Sequence, residues 1–137
     1  MESLETQVGG DHYKKMPYQP VQFSSDMGFN FIQGCIVKYL ARHKFKNGKQ
    51  DLEKAIHFAT LGESLKPASL STSLQEHAPE VVLENVMMFC ILNNLDDEVS
   101  NIISVLVHQR WLDVVILTRK YLENQYPEIP QENAHES

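Results

Sequence analysis

The sequence predicts an all-α protein, and three observations support this class. Apolar residues recur at helical spacing along several segments, and no segment of any length shows the apolar–polar alternation of a strand. Candidate caps and prolines stand at the ends of these segments. Of the 137 residues, 42% are hydrophobic, which is enough to build a core. We therefore expect a small helical domain with an extended N-terminal arm, followed by further helices.

The N-terminal arm is expected to be extended. It contains QVGGDHYKK at residues 7–15, which fits neither a helix nor a strand pattern, and then MPYQP. Pro17 and Pro20 fix φ and bias the residues before them away from helix. A short helix is predicted at 21–27, with Gly28 as the residue that follows its end.

Two longer helices joined by a turn form a predicted helical hairpin. Asn30 is the candidate N-cap of a helix at 31–45, and NGK at 47–49 is the turn. A helix at 50–65 follows, ended by Pro67. On a helical wheel, the predicted core faces comprise Phe31, Ile32, Cys35, Ile36, Tyr39 and Leu40 in the first helix and Leu52, Ala55, Ile56, Phe58, Ala59, Gly62 and Leu65 in the second.

The rest of the chain divides by composition. We expect a helical domain at 1–66, a linker at 67–75, an acidic helical region at 76–126 and a disordered tail at 127–137. Pro79 fits the first turn of a helix ending near Leu92. Helices at 97–108 and 111–125 follow, the first of them capped by Asn94 or Asp96.

Charge is distributed unevenly along the chain. The net charge is −6, but residues 1–66 carry +2 and residues 67–137 carry −8. Residues 38–54 include six basic and two acidic residues, which predicts either a local anion site or a solvated loop. Nucleic-acid binding is not expected, because it requires a wider basic face. Surplus apolar surface in the C-terminal helices predicts a homo-oligomer.

Two further features bear on location. No apolar run reaches the length of about 18 residues that a membrane helix needs, and the N-terminus has no secretory pattern. Cys35 and Cys90 lie in apolar helical patterns and are interpreted as reduced core residues. The predicted location is therefore the cytoplasm.

One strip of the first hairpin helix suggests phosphate binding. Lys38 and Arg42 are four residues apart, so both charges reach the same spot, and Gly34 beside them permits close approach of a ligand or a backbone. The alternative is helix packing at Gly34 with both cations in solvent. Asp51 in the first turn of the next helix is favoured by the helix dipole, and it is also placed to pair with Lys38 or Arg42.

A metal site has little support in the sequence. His12, His43 and His57 lack the spacing of a metal-binding motif, and His43 falls on the apolar arc, as a satisfied core histidine would. Glu76, Glu80 and Glu84 form a row that, with Asp97 and Glu98, is similar to the Mg²⁺-binding helices of all-α nucleotide pyrophosphohydrolases. A solvated acidic face explains the same row.

VGGDHY at 8–13, YQP at 18–20 and GCIVKYLARHKFKNGKQDLEKAIHF at 34–58 together resemble the phage SaV-like family. The resemblance covers roughly residues 7–65, and Cys35 stands where that family usually has Asn. It implies an early phage protein. One branch of the family is described as a deoxynucleoside monophosphate kinase without a P-loop, and others are described as products sensed by host defence.

The resemblance also suggests a role for the arm. Gly9 and Gly10 can form an anion nest, His12 can donate to a phosphoryl oxygen or shuttle a proton, and Tyr13 can stack on a base. The alternative is a turn that fastens the arm to the core. The expected catalytic residues are His12, Lys38 and Arg42, and the expected ligand-binding residues are Gly9, Gly10, Asp11, Tyr13, Gly34, Tyr39, Lys44, Asp51 and Lys54.

The expected function is nucleotide binding in the cytoplasm of an infected host cell, with a kinase reaction as its enzymatic form and Mg²⁺ accompanying the nucleotide. The alternative is a non-catalytic module that binds a host protein. A third hypothesis is the pyrophosphohydrolase suggested by the acidic row.

Overall fold

The structure is a computed structural model that describes residues 16–67 and 78–129. Its helices are α1 (Pro20–Met27), α2 (Phe31–Arg42), α3 (Lys49–Leu65), α4 (Pro79–Leu92), α5 (Asp97–Val107) and α6 (Trp111–Gln125), and a 3₁₀ turn (His43–Phe45) follows α2. No strand occurs in these two ranges, so the predicted all-α class is confirmed. The residues predicted in the arm up to position 15, most of the linker and most of the tail lie outside them.

Local sequence signals set several helix ends. Gly28 follows α1 with a φ of 64°, in the left-handed region that glycine adopts without a Cβ penalty. The Asn30 side chain accepts a hydrogen bond from the Gln33 backbone N–H at 2.9 Å, and the Gln33 side chain accepts one from the Asn30 N–H at 3.0 Å. This reciprocal pair is a capping box. Pro20 and Pro79 each begin a helix, where no amide hydrogen is needed.

Three sequence predictions about the hairpin need correction. The α-helix expected to reach residue 45 ends at Arg42. The chain continues as the 3₁₀ turn, in which His43 is hydrogen-bonded to Tyr121 of α6 and to Tyr126, which follows α6. Phe31, predicted on the core face, is 78% exposed, and Leu65 is 66% exposed. These two residues are the first of α2 and the last of α3, where no neighbouring helical turn covers them.

The buried side chains on both sides of the predicted linker form one core. α3 packs against α2 on one side and α6 on another, while α5 contacts α2, α4 and α6. Gln33 is buried and donates through Nε2 to the Leu106 carbonyl at 2.9 Å, which ties α2 to α5. Phe23 of α1 stacks on Phe89 of α4 with ring centroids 4.2 Å apart. Cys35 and Cys90 are both buried and free, as predicted.

A close approach between α3 and α6 depends on Gly62. A Cβ added at Gly62 would lie 2.4 Å from the Trp111 ring, which is shorter than any real contact. Trp111 itself is almost fully buried. Because Gly62 has no Cβ, the indole of Trp111 packs directly on the α3 backbone, and this packing offsets the low helix propensity of glycine.

Candidate functional site

Three cations surround one aromatic ring on the α2–α3 hairpin. The Tyr39 ring is buried, and its centroid lies 4.6 Å from Lys38 Nζ, 4.9 Å from Arg42 Cζ and 5.7 Å from Lys54 Nζ. These distances fall within the range of cation–π attraction. We call Lys38, Tyr39, Arg42, Asp51 and Lys54 the hairpin cluster.

Asp51 balances one of the three positive charges. Arg42 Nε and Nη2 lie 3.3 and 3.1 Å from the two carboxylate oxygens of Asp51, which is fully buried, and Arg42 is nearly so. The Asn47 backbone N–H also donates to this carboxylate, at 3.2 Å. Of the pairings predicted for Asp51, the structure therefore contains the one with Arg42. This ion pair joins α2 to the first turn of α3, where the helix dipole favours a carboxylate.

The other two cations are not balanced by the described part of the chain. Within residues 16–67 and 78–129, neither Lys38 nor Lys54 forms an ion pair, and both are half-buried. The hairpin cluster thus combines three cations and one carboxylate, leaving a local charge of +2. Like charges held this close repel one another, so the arrangement favours binding of an anion.

Aromatic rings connect the hairpin cluster with the protein surface. Phe58 is tilted against Tyr39 with ring centroids 5.8 Å apart. Phe31, the exposed first residue of α2, contacts Phe58 edge-on at 6.4 Å. The exposed Phe31 ring is thus connected through Phe58 to the ring that carries the cations, and it offers a stacking surface at the edge of the hairpin cluster.

The remaining predicted site residues fall elsewhere. A Cβ added at Gly34 would lie 3.7 Å from Ser24 Oγ, which is ordinary contact, so Gly34 faces α1. This is the helix-packing alternative considered for that position. Lys44 Nζ pairs with Asp96 at 2.7 Å, so it belongs to a different group of side chains. The arm residues Gly9, Gly10, Asp11, His12 and Tyr13 lie outside the described residues.

A second cluster of polar side chains joins the hairpin to α6 and to the residue that follows α6. His43 is 2% exposed, and its Nδ1 and Nε2 lie 2.7 Å from the Tyr126 hydroxyl and 2.8 Å from the Tyr121 hydroxyl. The Tyr121 hydroxyl also donates to Asp96 at 2.7 Å, and Lys44 pairs with the same carboxylate oxygen. We call these five residues the tyrosine–histidine network.

Electrostatics fix the direction of each hydrogen bond in the tyrosine–histidine network. Hydrogen bonds from Lys44 and Tyr121 hold the pKa of Asp96 below its usual value, so Asp96 is a carboxylate that accepts. The Tyr121 oxygen must then accept from His43 Nε2–H, and His43 Nδ1 accepts from Tyr126. Burial lowers the pKa of His43 to about 4 and raises that of Tyr121. Every polar group in the network has a partner, which confirms that His43 is a satisfied core histidine.

Nothing in the local sequence connects Tyr121 and Tyr126 with His43. Tyr121 does continue the core face of α6, because Trp111, Val114, Thr118 and Tyr121 recur at intervals of three and four and all four are buried. That periodicity indicates a buried hydroxyl in need of a partner. Asp96 was predicted as a helix cap, but its side chain makes no capping bond to α5 and binds Lys44 and Tyr121 instead.

The acidic row does not form a metal-binding group in the described residues. Glu80 and Glu84 are exposed on α4, and Glu76 lies outside the described ranges. Among the residues that the structure describes, no three His, Cys, Asp or Glu side chains are grouped to hold a metal ion. In the same residues, no helix is both long enough and apolar enough to span a membrane.

Comparisons with known proteins identify one related stretch. Residues 9–60 match the family model described as a protein of unknown function, DUF3310. The chain matches none of the curated proteins and none of the solved structures. All five residues of the hairpin cluster lie within the matched stretch, whereas Asp96, Tyr121 and Tyr126 lie beyond it. Over residues 9–60, the chain is therefore similar to DUF3310, and this similarity includes the whole hairpin cluster.

Proposed function

We propose that the hairpin cluster binds a nucleotide or another small phosphate-bearing ligand. The observation that carries this proposal is the pair of half-buried ammonium groups, Lys38 and Lys54, beside the Tyr39 ring without a carboxylate partner among the described residues. Both lie within 5.7 Å of one ring centroid, so a single ligand of nucleotide size can reach both. Hydrogen bonds from charged donors to phosphate are short and strong.

The roles of the cluster residues differ under this proposal. Lys38 and Lys54 donate to phosphate oxygens. Arg42 is held against Asp51, so it supports the hairpin and does not provide a free guanidinium fork. The exposed Phe31 ring supplies a surface on which a base can stack, which favours a nucleotide over inorganic phosphate.

The resemblance to the phage SaV-like family provides the second support. Under this proposal the protein acts in the cytoplasm of an infected host cell, and phosphoryl transfer to a deoxynucleoside monophosphate is the enzymatic form of the activity. Transfer requires a group that positions the acceptor, and His12 is the candidate that the sequence offers. His43 is not available for this task, because both ring nitrogens are hydrogen-bonded and the ring is buried.

Calorimetric titration of the full chain tests the binding step. The ligands are deoxynucleoside monophosphates and inorganic phosphate, each with and without Mg²⁺. Lys38→Ala and Lys54→Ala should each weaken nucleotide binding about tenfold or more, which is the value of one charged hydrogen bond. Lys120→Ala removes an exposed lysine of α6 and serves as the matched control. Absence of nucleotide binding, or equal weakening in all three variants, contradicts the proposal.

Product analysis separates a binding protein from an enzyme. A monophosphate and a nucleoside triphosphate with Mg²⁺ are incubated with the chain, and diphosphate formation is followed by chromatography. Turnover that disappears in His12→Ala while binding survives supports the kinase. Binding without diphosphate formation supports a non-catalytic nucleotide-binding module.

A further inference from the structure

Helix α4 is apolar on nearly all of its sides, although only one side is buried. Val86, Phe89 and Cys90 face the core. The large apolar side chains that remain 45–70% exposed are Val81, Leu83, Met87, Met88, Ile91 and Leu92. A helix of this composition is normally buried on all sides, and a contiguous exposed apolar patch in a soluble protein marks an interaction surface.

We infer that α4 is the interface of a symmetric dimer, in which α4 of one copy packs antiparallel against α4 of a second copy. Val81, Glu84, Met88 and Ile91 recur at intervals of three, four and three residues, which places them on one face of the helix. A two-fold interface needs one surface that complements itself, and such an interface closes at two copies.

Charge selects the antiparallel orientation. The charged residues of α4 are Glu80 and Glu84, both in its first half, and the helix contains no lysine or arginine. Parallel pairing would bring four carboxylates together. Antiparallel pairing with the two-fold axis near Met88 places Glu84 opposite Leu92 of the second copy and Glu80 beyond the end of the partner helix, so the four carboxylates are not brought together.

Shape agrees with the same orientation. A recess of about 340 Å³ lies beside the first half of α4, and it is lined by Val81, Val82, Glu84, Asn85 and Met88 of α4 and by Asp26 and Met27 of α1. Ile91, in the second half, is the most exposed apolar residue of the helix at 70%. With the two-fold axis near Met88, Ile91 of one copy falls opposite Asn85 of the other. Each copy thus offers a projecting side chain and a recess, and the symmetry pairs them twice.

Sedimentation velocity of the full chain over a wide concentration range tests the dimer. We expect the wild type to dimerise and Ile91→Glu to shift dissociation to concentrations at least tenfold higher, because a carboxylate enters the apolar face. Ile116→Glu changes a residue of similar exposure, 60%, on α6 and should leave the dimer unchanged. Circular dichroism verifies that both variants are folded. A wild type that is monomeric throughout, or equal effects of the two variants, overturns the inference.

Charge provides a second test. Glu84→Gln should tighten the dimer severalfold, since it removes a carboxylate from the apolar face. If α4 instead received a basic segment of a different protein, Glu84→Gln would not favour self-association, and this result would overturn the inference.

Disulfide trapping tests the orientation. In antiparallel pairing, Met88 of one copy lies near Met88 of the other. The two Val81 residues are separated by about 20 Å along the helix axis, at a rise of 1.5 Å per residue. A disulfide requires Cα atoms within about 7 Å. Under mild oxidation, Met88→Cys should therefore cross-link the two copies and Val81→Cys should not. The native Cys35 and Cys90 are buried and do not compete. Efficient cross-linking through position 81 contradicts antiparallel pairing.

Discussion

The hairpin cluster and the tyrosine–histidine network meet at the neighbouring residues Arg42 and His43, but they differ in how their charges are balanced. The network contains one lysine and one ionised carboxylate, and each of its donors meets an acceptor. The hairpin cluster has three cations for one carboxylate. A fully paired buried group stabilises one conformation, whereas an excess of charge beside an aromatic ring favours a ligand. This contrast indicates a structural role for the network and supports the proposal that the hairpin cluster binds a ligand.

The two groups also draw on different parts of the chain. The hairpin cluster lies within residues 9–60, the stretch similar to DUF3310. The network joins that stretch, through His43 and Lys44, to Asp96 and to two tyrosines at the end of α6 and just after it. Residues beyond position 78 therefore fix the position of the 3₁₀ turn that joins the two helices of the hairpin.

The largest expected effect comes from the paired part of the hairpin cluster. Asp51→Ala leaves the guanidinium of Arg42 buried without its carboxylate, so we expect a loss of about 3–5 kcal/mol in the free energy of unfolding. Urea unfolding followed by circular dichroism measures it. Glu53→Ala, at an exposed position of the same helix, is the control and should change little. A loss below about 1 kcal/mol for Asp51→Ala would show that solvent compensates Arg42.

Acid should weaken the tyrosine–histidine network. Because the pKa of His43 is lowered from 6.5 to about 4, the unfolded chain binds more protons than the folded chain between these values. The stability due to neutral His43 is complete above pH 6.5 and is lost as the pH falls to about 4, a change of about 3 kcal/mol.

Unfolding free energies measured across this pH range test the expectation. The exposed His57 provides the control, because His57→Gln should keep the pH dependence, whereas His43→Gln should flatten it. An unchanged slope in His43→Gln would assign the acid sensitivity to other groups.

The two tyrosines of the network should differ in energetic weight. Tyr121→Phe leaves both His43 Nε2–H and one bond to Asp96 unsatisfied in the interior, with an expected cost of about 1–3 kcal/mol. Tyr126 is half-buried, and Tyr126→Phe removes one hydrogen bond, so about 0.5–1.5 kcal/mol is expected. Thermal and urea unfolding give both values. Equal costs would mean that water satisfies the groups that Tyr121→Phe leaves without a partner.

The smallest effect on stability is expected at Lys38 and Lys54, which have no ion-pair partner among the described residues. Lys38→Ala and Lys54→Ala relieve repulsion and break no ion pair of the described residues, so the free energy of unfolding should change by about 0.5 kcal/mol or less. Nucleotide binding should fall in the same variants. A large loss of stability in either lysine variant would show that the hairpin cluster has a structural role, as the network does.

Features governed by local rules could be predicted from the sequence. Gly28 after α1, Asn30 before α2 and Pro79 at the start of α4 each act within a few residues of their own position. The helical class and the burial of His43 follow from periodicity. The Arg42–Asp51 pair was one of the two pairings considered, because the turn between the helices limits the possible partners.

Features set by distant contacts could not be predicted. The end of α2 at Arg42 depends on Tyr121 and Tyr126, which lie 78 and 83 positions beyond His43. Phe31 has the spacing of a core residue, but its position at the start of α2 leaves it exposed. The separation of Lys44 from Lys38 likewise depends on Asp96. Sequence spacing reports which residues share a helix face, but it does not report which other helix meets that face.

The position of α3 between α2 and α6 limits how this protein can be divided or transplanted. A fragment ending at residue 66 would keep every residue of the hairpin cluster but would expose the α3 surface around Gly62 and leave His43 without either hydroxyl. A scaffold that received the hairpin would need to supply an aromatic ring against Gly62 and two hydroxyl groups for His43. The proposed ligand site thus lies within the hairpin, while its shape also depends on α6 and the residue that follows it.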